Sequence, residues 1–158
     1  MTDMYIKEDN VLSKDECEFL LGVLLPIAEK HIRKDGEFYP FGAVLLNNNS
    51  VEITDTYDGN DYPESKKVIE ALIGIHRQFA KEDKIKASGI VWHSSVKDSS
   101  NQSSDAIIVS LEHKANYSVV VAEPYKTRGI AKIRILKFVK FDNLRAFEGK
   151  NDIFDKER

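Results

Sequence analysis

The segment Ala106–Tyr125 reads AIIVSLEHKANYSVVVAEPY and carries the clearest strand pattern of the chain. Apolar residues alternate along its two halves, Ala106–His113 and Tyr117–Tyr125. The first half has Ile107, Val109 and Leu111 on one face, and the second half has Tyr117, Val119 and Val121 on one face. A period of two predicts strands with one buried face. The link between the halves is so short that it predicts an antiparallel pair.

Further strands are predicted on both sides of this pair, at Phe38–Leu46, Val51–Tyr57, Lys86–Val96 and Lys132–Phe141. The first two are joined by NNNS, Asn47–Ser50. Asparagine tolerates left-handed backbone conformations, so this link predicts the turn of a hairpin. Residues 97–104 (KDSSNQSS) are expected to form a flexible loop, and Asn151–Arg158 a polar tail.

Two amphipathic helices are predicted. The first runs from Lys14 to about Lys34, because SKDE at Ser13–Glu16 is a capping box and apolar residues then recur at helical spacing. Pro26 lies inside it and is expected to kink it. The second runs over about Glu64–Glu82 and has one wide apolar stripe.

The predicted order is therefore α-β-β-α-β-β-β-β in a single domain, residues 1–158. Helices with one apolar face need a sheet to cover, and consecutive strands with short links favour an antiparallel meander. We therefore expect an α+β fold with two helices packed on an antiparallel sheet. This order resembles the profilin-like and roadblock arrangement, in which a hairpin and a later meander share one sheet.

Composition indicates a globular protein, with 158 residues, 42% hydrophobic and 31% charged. A single cysteine, Cys17, excludes an internal disulfide and suits a reducing compartment. The first ten residues have no apolar stretch typical of a signal peptide, and no apolar run reaches the roughly 18 residues of a membrane helix. The expected location is the cytoplasm, without membrane association; the oligomeric state stays open.

Charge is distributed unevenly along the chain. Residues 1–64 hold 14 acidic and five basic side chains, a net charge of −9, while the rest of the chain has +6 and the whole chain −3. Lys114–Arg145 is rich in basic residues, but a nucleic-acid surface also needs exposed aromatic residues. Phe138 and Phe141 are expected to be buried, so nucleic-acid binding is not the favoured interpretation.

The most acidic segment is Glu52–Glu64, EITDTYDGNDYPE, which has five carboxylates and no basic residue. Its acidic residues recur at every third position, which does not match a calcium-binding loop. Either it is solvated, or it contacts a basic protein partner, with tyrosines as anchors. We predict the second, with partner-binding residues Asp55, Tyr57, Asp58, Asp61 and Tyr62.

Motifs for metal, cofactor or nucleophile chemistry are not found. The chain has no H-E-x-x-H, no Walker A, no G-x-G-x-x-G and no G-x-S-x-G, so we expect no metal and no cofactor. Cys17 lies on the apolar face of the first helix, which predicts a packed, unreactive thiol. His76 lies beside the apolar stripe of the second helix and is predicted to be a hydrogen-bonded core histidine.

Four short motifs occur in order: FYPF at Phe38–Phe41, DAI at Asp105–Ile107, LEH at Leu111–His113 and PY at Pro124-Tyr125. In these motifs the chain resembles a family of small bacterial proteins of uncharacterised activity. The resemblance implies an immunity-type or accessory protein of a toxin system, and hence a toxin domain as partner. The alternative is a small hydrolase using the motif residues Asp105, Glu112 and His113 as acid and base, although adjacent strand residues face opposite sides.

Overall fold

A computed structural model describes residues 2–56, 64–97, 100–129 and 137–154 of the chain. Within these ranges the chain forms two helices and seven strands. In chain order they are α1 (Thr2–Asp35), β1 (Phe41–Leu46), β2 (Val51–Thr54), α2 (Ser65–Lys81), β3 (Ile85–Lys97), β4 (Ser103–His113), β5 (Tyr117–Gly129), β6 (Lys137–Phe141) and β7 (Arg145–Glu148).

All strands belong to one antiparallel sheet, in the order β2-β1-β3-β4-β5-β6, and β7 also pairs with β5. The predicted α+β fold, with two helices and an antiparallel sheet, is confirmed. The predicted hairpin β1–β2 and the later meander share this sheet because β1 pairs with β3, with Phe41 opposite Val91. The strand β7 was not predicted, since Arg145–Glu148 is too short to show an alternating pattern.

The two helices cover opposite faces of the sheet, which accounts for the continuous apolar run of β1. Ala43 and Leu45 pack in the core cluster that contains the α1 residues Leu20 and Leu24. Val44, which lies between them, packs instead in the cluster that contains α2 residues such as Leu72. A strand with both faces buried needs apolar residues at every position.

The helix α1 begins at Thr2, so the predicted start at Lys14 is wrong. Ser13 and Glu16 do not form a capping box, because both lie inside the helix. Ser13 is fully buried, and Glu16 instead contacts two strand residues, Lys86 and His113. The helix continues without a break through Pro26. None of the described helices is long and apolar enough to cross a membrane.

Several predicted strand ends also differ from the structure. The strand β1 begins at Phe41 instead of Phe38, and β2 ends at Thr54 instead of Tyr57. Both ends of the predicted loop at 97–104 are strand instead, since β3 reaches Lys97 and β4 begins at Ser103. The predicted start of the last strand, Lys132, lies outside the described residues. The described part of this strand is β6, which begins at Lys137.

The predicted polar tail begins as a packed segment. Ile153 is buried in the α2-side cluster, and its backbone N–H and that of Asp152 donate to the Glu112 carboxylate. Arg77 of α2 donates to the Asp152 carbonyl oxygen. Residues 149–154 therefore form a strap across the α2 face of the sheet; residues 155–158 lie outside the described part.

Candidate functional site

A groove of about 740 Å³ opens at the end of the sheet where β1 begins. Its walls come from the last turns of α1, the FYPF segment, the end of β2, the start of α2 and one residue of β3. The lining residues are Ile27, His31, Asp35, Glu37, Phe38, Tyr39, Pro40, Phe41, Ile53, Asp55, Thr56, Ser65 and His93.

Four rings form the base of the groove. Phe38 lies at the centre, with ring centroids 5.6 Å from Phe41, 5.5 Å from His93 and 6.2 Å from His31. Tyr39 is 51% exposed, whereas Phe38, Pro40 and Phe41 are buried. Pro40 disfavours helical backbone at Tyr39, so this residue is extended. The FYPF motif thus supplies both the floor of the groove and an exposed aromatic residue on its rim.

The charged side chains of the groove are acidic. Asp35 and Glu37 lie on one wall and Asp55 on another, and the lining residues described by the structure include no lysine or arginine. His31 Nδ1 lies 4.0 Å from Asp35 Oδ2. Together these groups give the groove a negative field, and low-dielectric walls would focus it.

One of the five predicted partner-binding residues is described, and it lies in this groove. Asp55 is exposed and lines the wall that β2 contributes. Tyr57, Asp58, Asp61 and Tyr62 lie outside the described residues, so their part in binding remains a prediction.

The two ends of the acidic segment are nevertheless placed. Thr56 precedes residues 57–63 and Ser65 follows shortly after them, and both line the groove. Residues on both sides of the stretch 57–63 therefore line the groove.

The three residues predicted as alternative catalytic groups do not meet. Asp105 is exposed near the beginning of β4, seven positions before Glu112, which is about 24 Å along a strand. Glu112 and His113 are buried on opposite faces of the sheet, the first against the strap and the second against α1. No single substrate could contact all three side chains.

His113 instead joins α1 to the sheet. Its Nδ1 accepts the Ala115 N–H at 3.0 Å, so Nε2 carries the hydrogen and donates to Glu16 Oε1 at 2.9 Å. Glu16 Oε2 accepts from Lys86 Nζ at 3.2 Å. Burial raises the pKa of Glu16, but the hydrogen bonds from His113 and Lys86 outweigh it, and the pKa ends below its ordinary value.

His76 is a core histidine, as predicted. Its ring is fully buried, with Nε2 at 2.7 Å from Thr54 Oγ1 and Nδ1 at 2.6 Å from Ser88 Oγ. Burial lowers its pKa to about 4. Gly42 makes room for this ring, since a Cβ there would lie 2.9 Å from His76 Cε1.

Cys17 is also as predicted, because it is buried in the α1-side cluster. Burial, together with the charge of Glu16, raises the pKa of the thiol to about 12, which keeps it protonated. A thiol in this state is a poor nucleophile.

One buried carboxyl group, Glu123, was not singled out from the sequence, and it lies near a second one, Glu29. Glu123 of β5 is only 6% exposed, and its Oε1 is buried without a hydrogen-bond partner among the residues that the structure describes. Burial, a hydrogen bond with Glu29 of α1 and the charge of Glu29 raise the pKa of Glu123 to about 8, against a smaller lowering by Arg33. The alternation of the strand indicates the burial of Glu123, because Glu123 shares a face with Val121, which the pattern places on the buried face.

Among the described residues, no group of three or more His, Cys, Asp or Glu side chains could hold a metal ion. No protein-family model, curated protein or solved structure matches the chain.

Proposed function

We propose that the chain is a protein-binding domain whose groove receives a basic segment of a partner protein. The observation that carries this proposal is the composition of the groove, whose described lining residues include the carboxylates Asp35, Glu37 and Asp55 and no lysine or arginine. An arginine or lysine of a partner would find carboxylates on both walls. Complementary charge of this kind speeds encounter and selects partners.

Exposed apolar residues on the rim support the same function. Tyr39 is 51% exposed and Ile53 is 50% exposed. A partner that inserted a basic side chain would cover both, and buried aromatic anchors usually supply most of the binding energy of an interface. The acidic segment that continues from Thr56 would extend the contact through Asp58, Asp61 and the two tyrosines.

The biological role we propose is that of an immunity-type inhibitor. An inhibitor of a toxin that acts on nucleic acid or another anion needs to cover a basic surface, and an acidic groove with apolar rim residues suits that task. The resemblance in the FYPF, DAI, LEH and PY motifs supports the same class.

A fluorescein-labelled peptide that alternates arginine with leucine is a suitable first probe for the groove. Its binding is measured by fluorescence anisotropy at low and at high salt, beside a matched peptide with glutamate in place of arginine. We expect binding of the basic peptide alone, and weaker binding at high salt because the charges are exposed. The triple variant Asp35→Asn, Glu37→Gln, Asp55→Asn should reduce affinity about tenfold at low salt, at roughly 0.5 kcal/mol for each exposed pair.

The matched control is Glu18→Gln, Glu70→Gln, Glu148→Gln, which removes the same charge from exposed positions outside the groove. It should bind nearly as the unmodified chain does. Equal losses in the two triple variants would mean that only net charge matters, and the groove proposal would be wrong. Equal affinity for the basic and the acidic peptide would likewise contradict the groove proposal.

The immunity-type role has its own test. The gene next to the one that encodes this chain is expressed in a host under three conditions: alone, together with the unmodified chain, and together with the groove triple variant of the chain. Growth of the host is measured in each case. We expect the neighbour to arrest growth, the chain to restore it, and the triple variant to restore it poorly. If the product of the adjacent gene does not arrest growth, the inhibitor role is contradicted, whereas the proposal that the groove binds a basic segment is unaffected.

A further inference from the structure

A second cavity, of about 220 Å³, lies on the α2 face of the sheet beneath the strap of residues 149–154. Its apolar wall is formed by Ile73 of α2 and by Ile90 and Trp92 of β3. Polar side chains also line the cavity, namely Ser88, Ser110 and Glu112 of the sheet and Lys150 and Asp152 of the strap. An apolar cavity with a few convergent polar groups is the usual form of a small-molecule site.

Glu112 is the unusual member of this set because it is a carboxyl group that is only 4% exposed. Its two oxygens accept the backbone N–H groups of Asp152 and Ile153, at 3.0 and 3.1 Å. No ion pair among the described residues includes Glu112. A buried carboxylate is stabilised when a cation pairs with it, and each carboxylate oxygen can accept a further hydrogen bond.

The side chain of Lys150 places a positive charge at the rim of this cavity. The ammonium nitrogen of Lys150 lies 5.4 Å from the centroid of the Trp92 ring. The face of Trp92 therefore accepts a positive charge in this position. Lys150 itself is exposed and does not reach the carboxylate as an ion-pair partner.

We propose that this cavity binds a small primary amine with an apolar body. The ammonium group donates hydrogen bonds to Glu112 and to the neighbouring serine hydroxyls, and the apolar body packs against Ile90 and Trp92. An engineered protein cavity of about 150 Å³ holds a benzene molecule, so this space suits a ring with a short amine chain. The site lies on the face of the sheet that α2 covers, and it is independent of the groove.

The chain has one tryptophan, Trp92, so intrinsic fluorescence reports directly on this cavity. The probe is 2-phenylethylamine, titrated beside 2-phenylethanol and 3-phenylpropionate, which have a similar ring and chain but no positive charge. We expect a saturable change with the amine and binding of the alcohol weaker by about tenfold, the usual scale of a hydrogen bond to a charged group. The carboxylate should not bind, because it would face Glu112.

Two variants locate the binding. Glu112→Gln should weaken binding of the amine about tenfold. Ile73→Phe should abolish binding of all three probes, because it fills the cavity while leaving Glu112 in place. Leu144→Phe, at an exposed position that lines neither the cavity nor the groove, is the matched control and should leave amine binding unchanged. Should Glu112→Gln fail to fold, the comparison of amine with alcohol and the Ile73→Phe result decide.

Lys150→Met sharpens the assignment of the ammonium position. It removes the charge that now lies over Trp92 and should strengthen binding of the amine. The proposal is overturned if the amine gives no saturable change, if the alcohol binds equally well, or if Ile73→Phe leaves the titration unaltered.

Discussion

On the α2 face of the sheet the buried His76 is held between the hydroxyl groups of Thr54 and Ser88, whereas on the α1 face the buried Glu123 lies near the carboxyl group of Glu29. Both side chains are stabilised in their neutral forms, because burial penalises charge. The pKa of the histidine is lowered to about 4, and that of the carboxyl group is raised to about 8.

Opposite shifts give opposite dependences of stability on pH. Between about pH 4 and 6.5 the unfolded chain binds a proton at His76 that the folded chain does not, so the free energy of unfolding rises with pH. Between about pH 4.5 and 8 the folded chain keeps a proton at Glu123 that the unfolded chain has lost, so the free energy of unfolding falls with pH. Between about pH 4.5 and 6.5 the two contributions to the free energy of unfolding therefore oppose each other. Between about pH 6.5 and 8, of these two groups, only Glu123 changes the free energy of unfolding with pH.

Removing the histidine should have the largest effect. His76→Ala leaves a cavity and takes the partner from two hydroxyl groups, of which that of Ser88 is buried. We expect a loss of about 3 kcal/mol in the free energy of unfolding at neutral pH, measured by urea denaturation.

His31→Ala is the matched control, because this histidine is exposed and forms no hydrogen bond to a buried group within the described part of the chain. It should change stability by less than about 0.5 kcal/mol. A loss for His76→Ala as small as that would mean that the hydroxyl groups find other partners.

Replacing Glu123 should give the next largest effect. The effect is a change in the slope of the free energy of unfolding against pH. Glu123→Gln cannot ionise, yet its amide can still donate to Glu29. We expect the fall in stability between about pH 6.5 and 8, at most about 1.4 kcal/mol per pH unit for one proton, to disappear. Thermal or urea unfolding at several pH values measures it, and the difference from the unmodified chain cancels the contributions of all other groups.

Glu148→Gln serves as the control for this prediction, since it removes an exposed carboxylate from β7. Its stability should run parallel to that of the unmodified chain at every pH. If Glu123→Gln also runs parallel, the Glu123 carboxyl group is ionised in the folded state and the contrast between the two faces is lost.

The predictability of these two regions from the sequence differs for a physical reason. The location of His76 follows from helical spacing alone, because an apolar stripe places neighbouring residues in the core. Its partners Thr54 and Ser88 lie on two other strands and show no local pattern. The Glu29–Glu123 pair joins residues far apart in the chain, and although alternation places Glu123 on the inner face, nothing in the sequence indicates which helix residue meets it.

The same distinction holds for the groove and for α1. The FYPF motif and Asp55 can be singled out from the sequence, but the sequence does not predict that His93 lies beside Phe38. That contact arises from the pairing of β1 with β3. The capping box at Ser13–Glu16 is a valid local signal that tertiary contacts override, because Glu16 is held by Lys86 and His113. Periodic patterns thus predicted the elements, and contacts between elements decided the site.

The smallest effect is expected at Cys17, on the α1 face. Its thiol is 1% exposed in a cluster with Leu20 and Leu24, and its pKa is raised to about 12, mainly by burial. Cys17→Ala removes one buried sulfur atom, so we expect a loss of about 1 kcal/mol in stability, without loss of peptide binding in the groove. In the native state the thiol should react with a disulfide reagent only as fast as the helix opens, since thiolate is the reactive form. The same reagent in denaturant gives the rate of an accessible thiol. Native labelling at that denatured rate would show that α1 leaves the sheet readily, and the packing of this face would then be weaker than its buried residues indicate.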